Sequence, residues 1–166
     1  MPRIRHHGQD AECEVASLVE LLLTTRPRIE VVTVGHGRDE TSKAAAARFI
    51  RTWEEYGGTI LAVVDWPEEA ASWLRQARRF AAGTPDAWVV AAAPPGWLQM
   101  SRRLRRSTSW DPARTFGLSG LGDVRVLEQA GPGTLEGMRG PARDGTTWRM
   151  GRNLITYNPP GEPTWT

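Results

Sequence analysis

Three observations predict an α/β fold, a mainly parallel sheet with helices on both faces in the manner of a Rossmann-like three-layer sandwich. Strand-like runs begin near Ile29, Thr59, Ala87 and Arg114, a spacing of about 30 residues that suits parallel strands joined by crossover helices. A segment of helical periodicity follows each run. The third run, Ala87 to Ala93, is apolar without alternation, as in a strand covered on both faces.

The elements read in order as follows. Val15, Leu18, Val19 and Leu22 share one face of a helix spanning Ala11 to Leu23, which Pro27 keeps from continuing. Ile29 to Val34 is β-branched and ends at Gly35, which reads as a buried strand. Asp39 or Thr41 caps the next helix, whose inner face is Ala46, Phe49, Ile50 and Trp53 and whose stop is Gly57-Gly58. Thr59 to Val64 is the second strand. Asp65-Trp66-Pro67 ends it and opens a helix carrying Leu74, Ala77 and Phe80, with Asp65 available as its cap and Gly83 closing it.

After the third strand, Pro94-Pro95-Gly96 starts a helix bearing Trp97, Leu98, Ser101 and Leu104. Arg114 to Leu118 is a weaker fourth strand, and Asp123 caps a short helix ended by Gly131. Beyond Gly131 the pattern dissolves into turns. Trp148 to Tyr157 is expected as a last strand, or as a hairpin with Thr134 to Met138. The domain reading is a flexible start over 1–10, one α/β domain over 11–158, and a tail over 159–166.

Composition narrows the function. The chain has 166 residues, 40% hydrophobic and 24% charged, which suits one globular domain and argues against wholesale disorder. A formal charge of +2 is no nucleic-acid signature. Lys43 is the only lysine, so nearly all the positive charge is arginine, whose fork favours carboxylates and phosphates. Cys13 is the single cysteine, which excludes an internal disulfide, and no metal-ligand spacing surrounds it. No apolar run is long enough to span a bilayer, and the basic start lacks a signal-peptide core, so the protein is expected in the cytoplasm.

In an open parallel sheet, ligands bind beyond the carboxyl ends of the strands. That rule selects Gly35, His36, Gly37, Arg38, Asp39 and Glu40 after the first strand, and Asp65 and Trp66 after the second. Pro94, Pro95 and Trp97 follow the third strand, and Ser119 and Gly120 the fourth. The two glycines of the first loop permit close backbone approach, and a helix N-terminus follows. Glu40 stands where a dinucleotide fingerprint has its third glycine, and no phosphate loop occurs. A tight strand-to-helix turn with a charged cap accounts for the same residues. His36 is a general base only if Asp39 or Asp65 orients it, and no nucleophile accompanies it. Arg102, Arg103, Arg105 and Arg106 spread around Leu104 as a solvated helix face, so nucleic acid is not expected as a partner.

The order of elements from Ala11 to Gly140 resembles one lobe of the type I periplasmic binding proteins, the branched-chain amino-acid receptor group. The resemblance rests on Val31 to Val34, on Tyr56-Gly-Gly-Thr-Ile60, on Pro85-Asp-Ala-Trp-Val-Val90 and on Gly133-Thr-Leu-Glu-Gly-Met-Arg-Gly140. It implies a ligand held between two lobes by residues at strand carboxyl ends, here His36, Arg38, Asp65, Trp66, Pro95, Trp97 and Ser119. One lobe cannot close on itself, so a second lobe, a partner protein or a homodimer is implied. The resulting expectation is a non-enzymatic binding or sensor domain for a small polar or amino-acid-like molecule, with no catalytic residue, cofactor or metal. The alternative is a ligand-free interaction module, which a patch of exposed tryptophans would favour. The third reading is an enzyme acting on a nucleotide or phosphate compound through the Gly35 to Glu40 loop.

Overall fold

The computed structural model describes residues 5–159. The chain runs through a helix α1 (Arg5–Thr24), strand β1 (Val31–Gly37), helix α2 (Glu40–Glu55), strand β2 (Thr59–Trp66) and helix α3 (Leu74–Ala81). It continues through β3 (Ala87–Ala91), α4 (Pro94–Ser107), β4 (Thr115–Gly117) and α5 (Val124–Ala130), and ends with β5 (Arg139–Pro141), β6 (Thr147–Met150) and β7 (Ile155–Asn158). The seven strands form one sheet in the order β2-β1-β3-β4-β5-β6-β7, parallel from β2 to β5 and antiparallel beyond.

Strand alternation distributes the core between two layers. Val32 and Val34 of β1, with Ala87, Val89 and Ala91 of β3, meet Leu18 and Leu22 of α1 and Phe49 and Trp53 of α2. The opposite face carries Trp88 and Val90 against Phe80 of α3, Trp97 and Leu104 of α4 and Leu127 of α5. Helices therefore cover both faces, as the unalternating β3 run requires. Asp86 ties the amino ends of β1 and β3 together, since its carboxylate accepts the Glu30 and Val31 N–H groups at 2.9 Å.

Several boundaries differ from the sequence expectation. β1 continues through Gly35, His36 and Gly37, because β2 pairs with it as far as Trp66 and β3 as far as Ala91. Only Arg38 and Asp39 separate it from α2. No helix starts at Pro67: residues 67–73 bend, and α3 begins at Leu74 without a side-chain cap. One local and one long-range bond hold that bend, with Trp73 Nε1–H donating to the Pro67 carbonyl and Gly96 N–H donating to Glu68. Asp65 consequently caps nothing. The last segment is two strands, β6 and β7, paired with each other; β6 also pairs with β5, and Met150 exchanges backbone bonds with Gly137 and Met138, so the expected hairpin is met at its 137–138 end while 132–137 turns. The N-terminal residues expected to be flexible fall partly on 1–4, outside the described residues, and partly on the first turns of α1. Residues 160–166 of the expected tail also lie outside.

Gly35 has a packing reason. A Cβ there would sit 2.4 Å from the Trp66 ring and 2.6 Å from Phe80, so the aromatic layer presses directly on the β1 backbone. Its missing side chain serves the core and leaves no space for a ligand.

Candidate site at the carboxyl edge of the sheet

With β1 flanked by β2 on one side and β3 on the other, the chain reverses its direction of travel at β1/β3, and the crevice between their carboxyl ends is the place for a ligand. The connections leaving these strands feed opposite layers, β1 into α2 and β3 into α4. Both helix N-termini therefore arrive at this crevice.

Each N-terminus already holds a carboxylate. Asp39 caps α2 by accepting the Ser42 N–H at 3.0 Å. Glu68 reaches from the bend after β2 to accept the Gly96 N–H at 2.7 Å; Pro94 and Pro95 have no N–H, so Gly96 supplies the first free donor of α4. The other Glu68 oxygen, Oε1, is buried without a partner. Burial pushes the Asp39 carboxyl up, but hydrogen bonds from Ser42 and nearby His36 outweigh it and hold the group below its ordinary value. Such a carboxylate stabilises the fold above the usual carboxylate range, and the contribution is lost as pH falls through the depressed folded value. Asp39→Ala is expected to destabilise the protein by about 1 kcal/mol at neutral pH. Urea denaturation should show the deficit shrinking towards pH 3; a deficit independent of pH would mean that the charge plays no part.

Arg38 and Asp65 form the open part of the site. Their ion pair spans 3.3 Å, and the side chains remain 52% and 46% exposed, so both groups are open to solvent. An exposed pair of this kind adds little stability, which leaves its charges available for recognition. His36 stands opposite Asp65 in the ladder, but Nδ1–H donates to the Gly37 carbonyl at 2.6 Å. Among the described residues it makes no hydrogen bond to a carboxylate, so the pairing that a general base would need is absent.

Sequence-selected residues divide accordingly. His36, Arg38 and Asp65 gather at the β1–β2 ends, and Pro95 is exposed in the first turn of α4. Trp66 and Trp97 do not line the crevice: both are 0% exposed, 6.0 Å apart between ring centroids, and belong to the core under α3 and α4. Ser119 lies at the end of β4, where its N–H donates to Glu14 of α1 at 2.5 Å. Glu14 borders a separate cleft of about 320 Å³ with Asp10, Cys13, Ser17 and Arg143, beside the carboxyl end of β5. The arginines of α4 lie elsewhere, with Arg102 bonded to the Gln129 carbonyl and Arg105 and Arg106 in the last turn, where cations suit the helix dipole.

Sequence reasoning missed Glu68 and Glu14. Glu68 was read as part of a helix, and only its bond across to Gly96 reveals it. Glu14 was readable in principle. A helix that precedes β1 by a short connection runs back along the sheet, which brings its first half to the carboxyl edge.

The sheet is covered by helices on both faces, and its loops present ionised groups at the β1/β3 carboxyl ends. The chain has the fold of one lobe of the type I periplasmic binding proteins. A substrate-binding periplasmic protein from Ralstonia solanacearum superposes with a TM-score of 0.65 at 20% identity, over 78% of this chain and 35% of that one. An extracellular ligand-binding receptor from Rhodopseudomonas palustris HaA2 gives 0.65 at 16% identity, over 80% and 35%. A putative branched-chain amino acid ABC transporter protein from Rhodospirillum rubrum gives 0.61 at 19%, over 78% and 36%. The chain thus spans about a third of the length of the proteins it resembles. No family model matches it, and no curated protein does.

The cytoplasmic expectation is overturned by these neighbours, which are described as extracellular or periplasmic. It had rested on the first residues of the chain, and the start of a chain that spans one lobe carries no information about compartment. Among the described residues no helix is long and apolar enough to cross a membrane.

Proposed function

We propose that this chain is a non-enzymatic binding lobe that takes a small zwitterionic, amino-acid-like molecule at the carboxyl edge of β1–β3, with a second lobe, supplied by a partner or another copy, completing the cleft. The observation that carries this reading is the charge arrangement at the crevice. Arg38 offers a forked donor for a carboxylate. Asp65 and the unpartnered Oε1 of Glu68 offer acceptors for an ammonium group. With both helix N-termini satisfied by Asp39 and Glu68, the crevice does not call for a further bare anion, which weighs against a phosphate compound. The description of the Rhodospirillum rubrum neighbour as a branched-chain amino acid transport protein supports the same class of ligand.

The test is thermal melting of the full chain against amino acids, their amides and the corresponding amines. A saturable rise in melting temperature is expected for a zwitterion, because selective binding stabilises the native state. Arg38→Ala should weaken it by about 10-fold or more, the scale of one charge-assisted contact. Equal stabilisation by the amines, or an unchanged affinity in Arg38→Ala, would overturn the reading.

One observation favours an interaction module instead. Among the described residues the tryptophans form no exposed patch of the kind expected for it, since Trp53, Trp66, Trp88, Trp97, Trp110 and Trp148 are all at most 5% exposed and Trp73 is half-buried. Three exposed apolar residues, Tyr56, Leu61 and Val63, lie along the edge strand β2 and the turn before it, while Leu23, Val124, Leu154 and Tyr157 are exposed elsewhere. Open sheet edges of this kind pair readily with other chains. Concentration-dependent dimerisation that Leu61→Lys abolishes would favour this second reading.

A further inference from the structure

Two arginines face each other in the antiparallel part of the sheet. Arg139 of β5 is the ladder partner of Arg149 of β6, so their side chains leave the same face of the sheet. Arg139 pairs on its other side with Phe116 of β4 and lies over that ring, 4.9 Å from its centroid. Arg149 pairs on its other side with Thr156 of β7. A row Phe116, Arg139, Arg149, Thr156 therefore crosses four neighbouring strands.

The row is electrostatically incomplete. Like charges directly opposite one another destabilise a sheet, and half-buried charges are normally paired. Among the described residues neither arginine takes part in an ion pair. Arg139 Nε is buried and has no acceptor. Burial, and then the neighbouring Arg149, push the Arg139 guanidinium below its ordinary value. The ring of Phe116 compensates part of one charge and none of the other. No acid relieves them from the adjoining positions, because the other residues of this face on β5 to β7 are Pro141, Thr147 and Asn158. On α1, which packs on β5, the Glu14 Oε1 is already engaged by the Ser119 N–H.

We propose that Arg139 and Arg149 form an oxyanion site, in which one carboxylate or phosphate group bridges the two guanidiniums with the Thr156 hydroxyl beside them. The Cα atoms of directly opposed ladder positions lie about 5.5 Å apart at most, so two planar forks extending from them on one face can reach a common tetrahedral or trigonal oxyanion. Each fork then gains the acceptor it lacks, and the repulsion between them becomes attraction to a common partner. The site begins at the amino end of β5 and shares no residue with the crevice at β1/β3, so it stands whatever that crevice binds.

The experiment is thermal melting and isothermal titration of the full chain with inorganic phosphate and with acetate, against chloride at matched ionic strength. Phosphate should bind saturably and raise the melting temperature, with acetate acting in the same direction if carboxylates are also taken. Arg149→Gln should weaken phosphate binding at least 10-fold, and in chloride it should raise the melting temperature, since it removes the repulsion. Arg139→Lys, which keeps the charge without the fork, should weaken binding without that gain. No phosphate-specific response, or a response that survives in Arg149→Gln, would overturn the site. An Arg149→Gln chain that melts lower in chloride would overturn it too, because the pair would then be neutralised from within the chain.

Discussion

Trp97→Ala is expected to destabilise the protein by about 3–5 kcal/mol, the range for deleting a fully buried large aromatic. In a chain of this size that corresponds to a fall in melting temperature of about 10 °C or more. The ring is 0% exposed and sits between Trp66 and Trp110, whose centroids are 6.0 Å and 5.7 Å away, the second edge-on. Removing it unpacks α4 from the sheet and leaves two further indoles facing a void. Trp97 Nε1 has no hydrogen-bond partner, so Trp97→Phe should cost clearly less than the alanine change. Circular dichroism melts of both variants measure the difference. A loss below about 1 kcal/mol for alanine would place the ring at a yielding surface and return it to the ligand site.

Gly140→Ala is expected to be as damaging. A Cβ at this position would lie 1.9 Å from the Gly117 carbonyl oxygen and 2.8 Å from the Trp148 ring. The first of these contacts is with backbone, which cannot rotate away, so β4 and β5 must part where a single pair, Phe116 with Arg139, joins them. The expected loss is about 3 kcal/mol or more, above the usual range for overpacking because the obstacle is rigid. Gly120→Ala is the control: nothing lies within 4 Å of its Cβ position, and the change should stay within about 0.5 kcal/mol. Urea denaturation followed by tryptophan fluorescence reads both. Equal stability of the two variants would show that the β4–β5 seam is loose.

Periodicity carried the architecture because burial on two faces imposes it locally. The start of the run Ala87 to Ala93, the caps at Asp39 and Asp123 and the stop at Gly131 are each read from a few neighbouring residues and are where expected, although the strand itself ends at Ala91. The errors fall where a distant partner decides. β1 runs on to Gly37 because strands on both sides extend that far, and Pro67 starts no helix because Glu68 is engaged with Gly96, 28 residues on. The antiparallel end was half legible: its last strand was expected, but its pairing with β6 follows from the turn and not from composition.

The candidate site divides along the same line. Topology names the carboxyl edge, and so His36, Arg38, Asp65 and Pro95, from strand order alone. Whether a side chain at such a position faces the crevice or the core depends on register, and one residue of slip reverses it. A bulge between Val32 and Thr33 resets that register in β2, and Trp66 turns inward to meet Phe80. By itself the sequence determined the class of fold, the layering and the edge at which the strand-to-helix loops converge, because these follow from local hydrophobic periodicity and chain reversal. Only the tertiary structure decided that Trp66 and Trp97 face the core and not the crevice, that Glu68 seals the start of α4, and that two arginines stand unpaired across β5 and β6. Those facts depend on contacts between residues far apart in the chain, whose geometry no local pattern encodes.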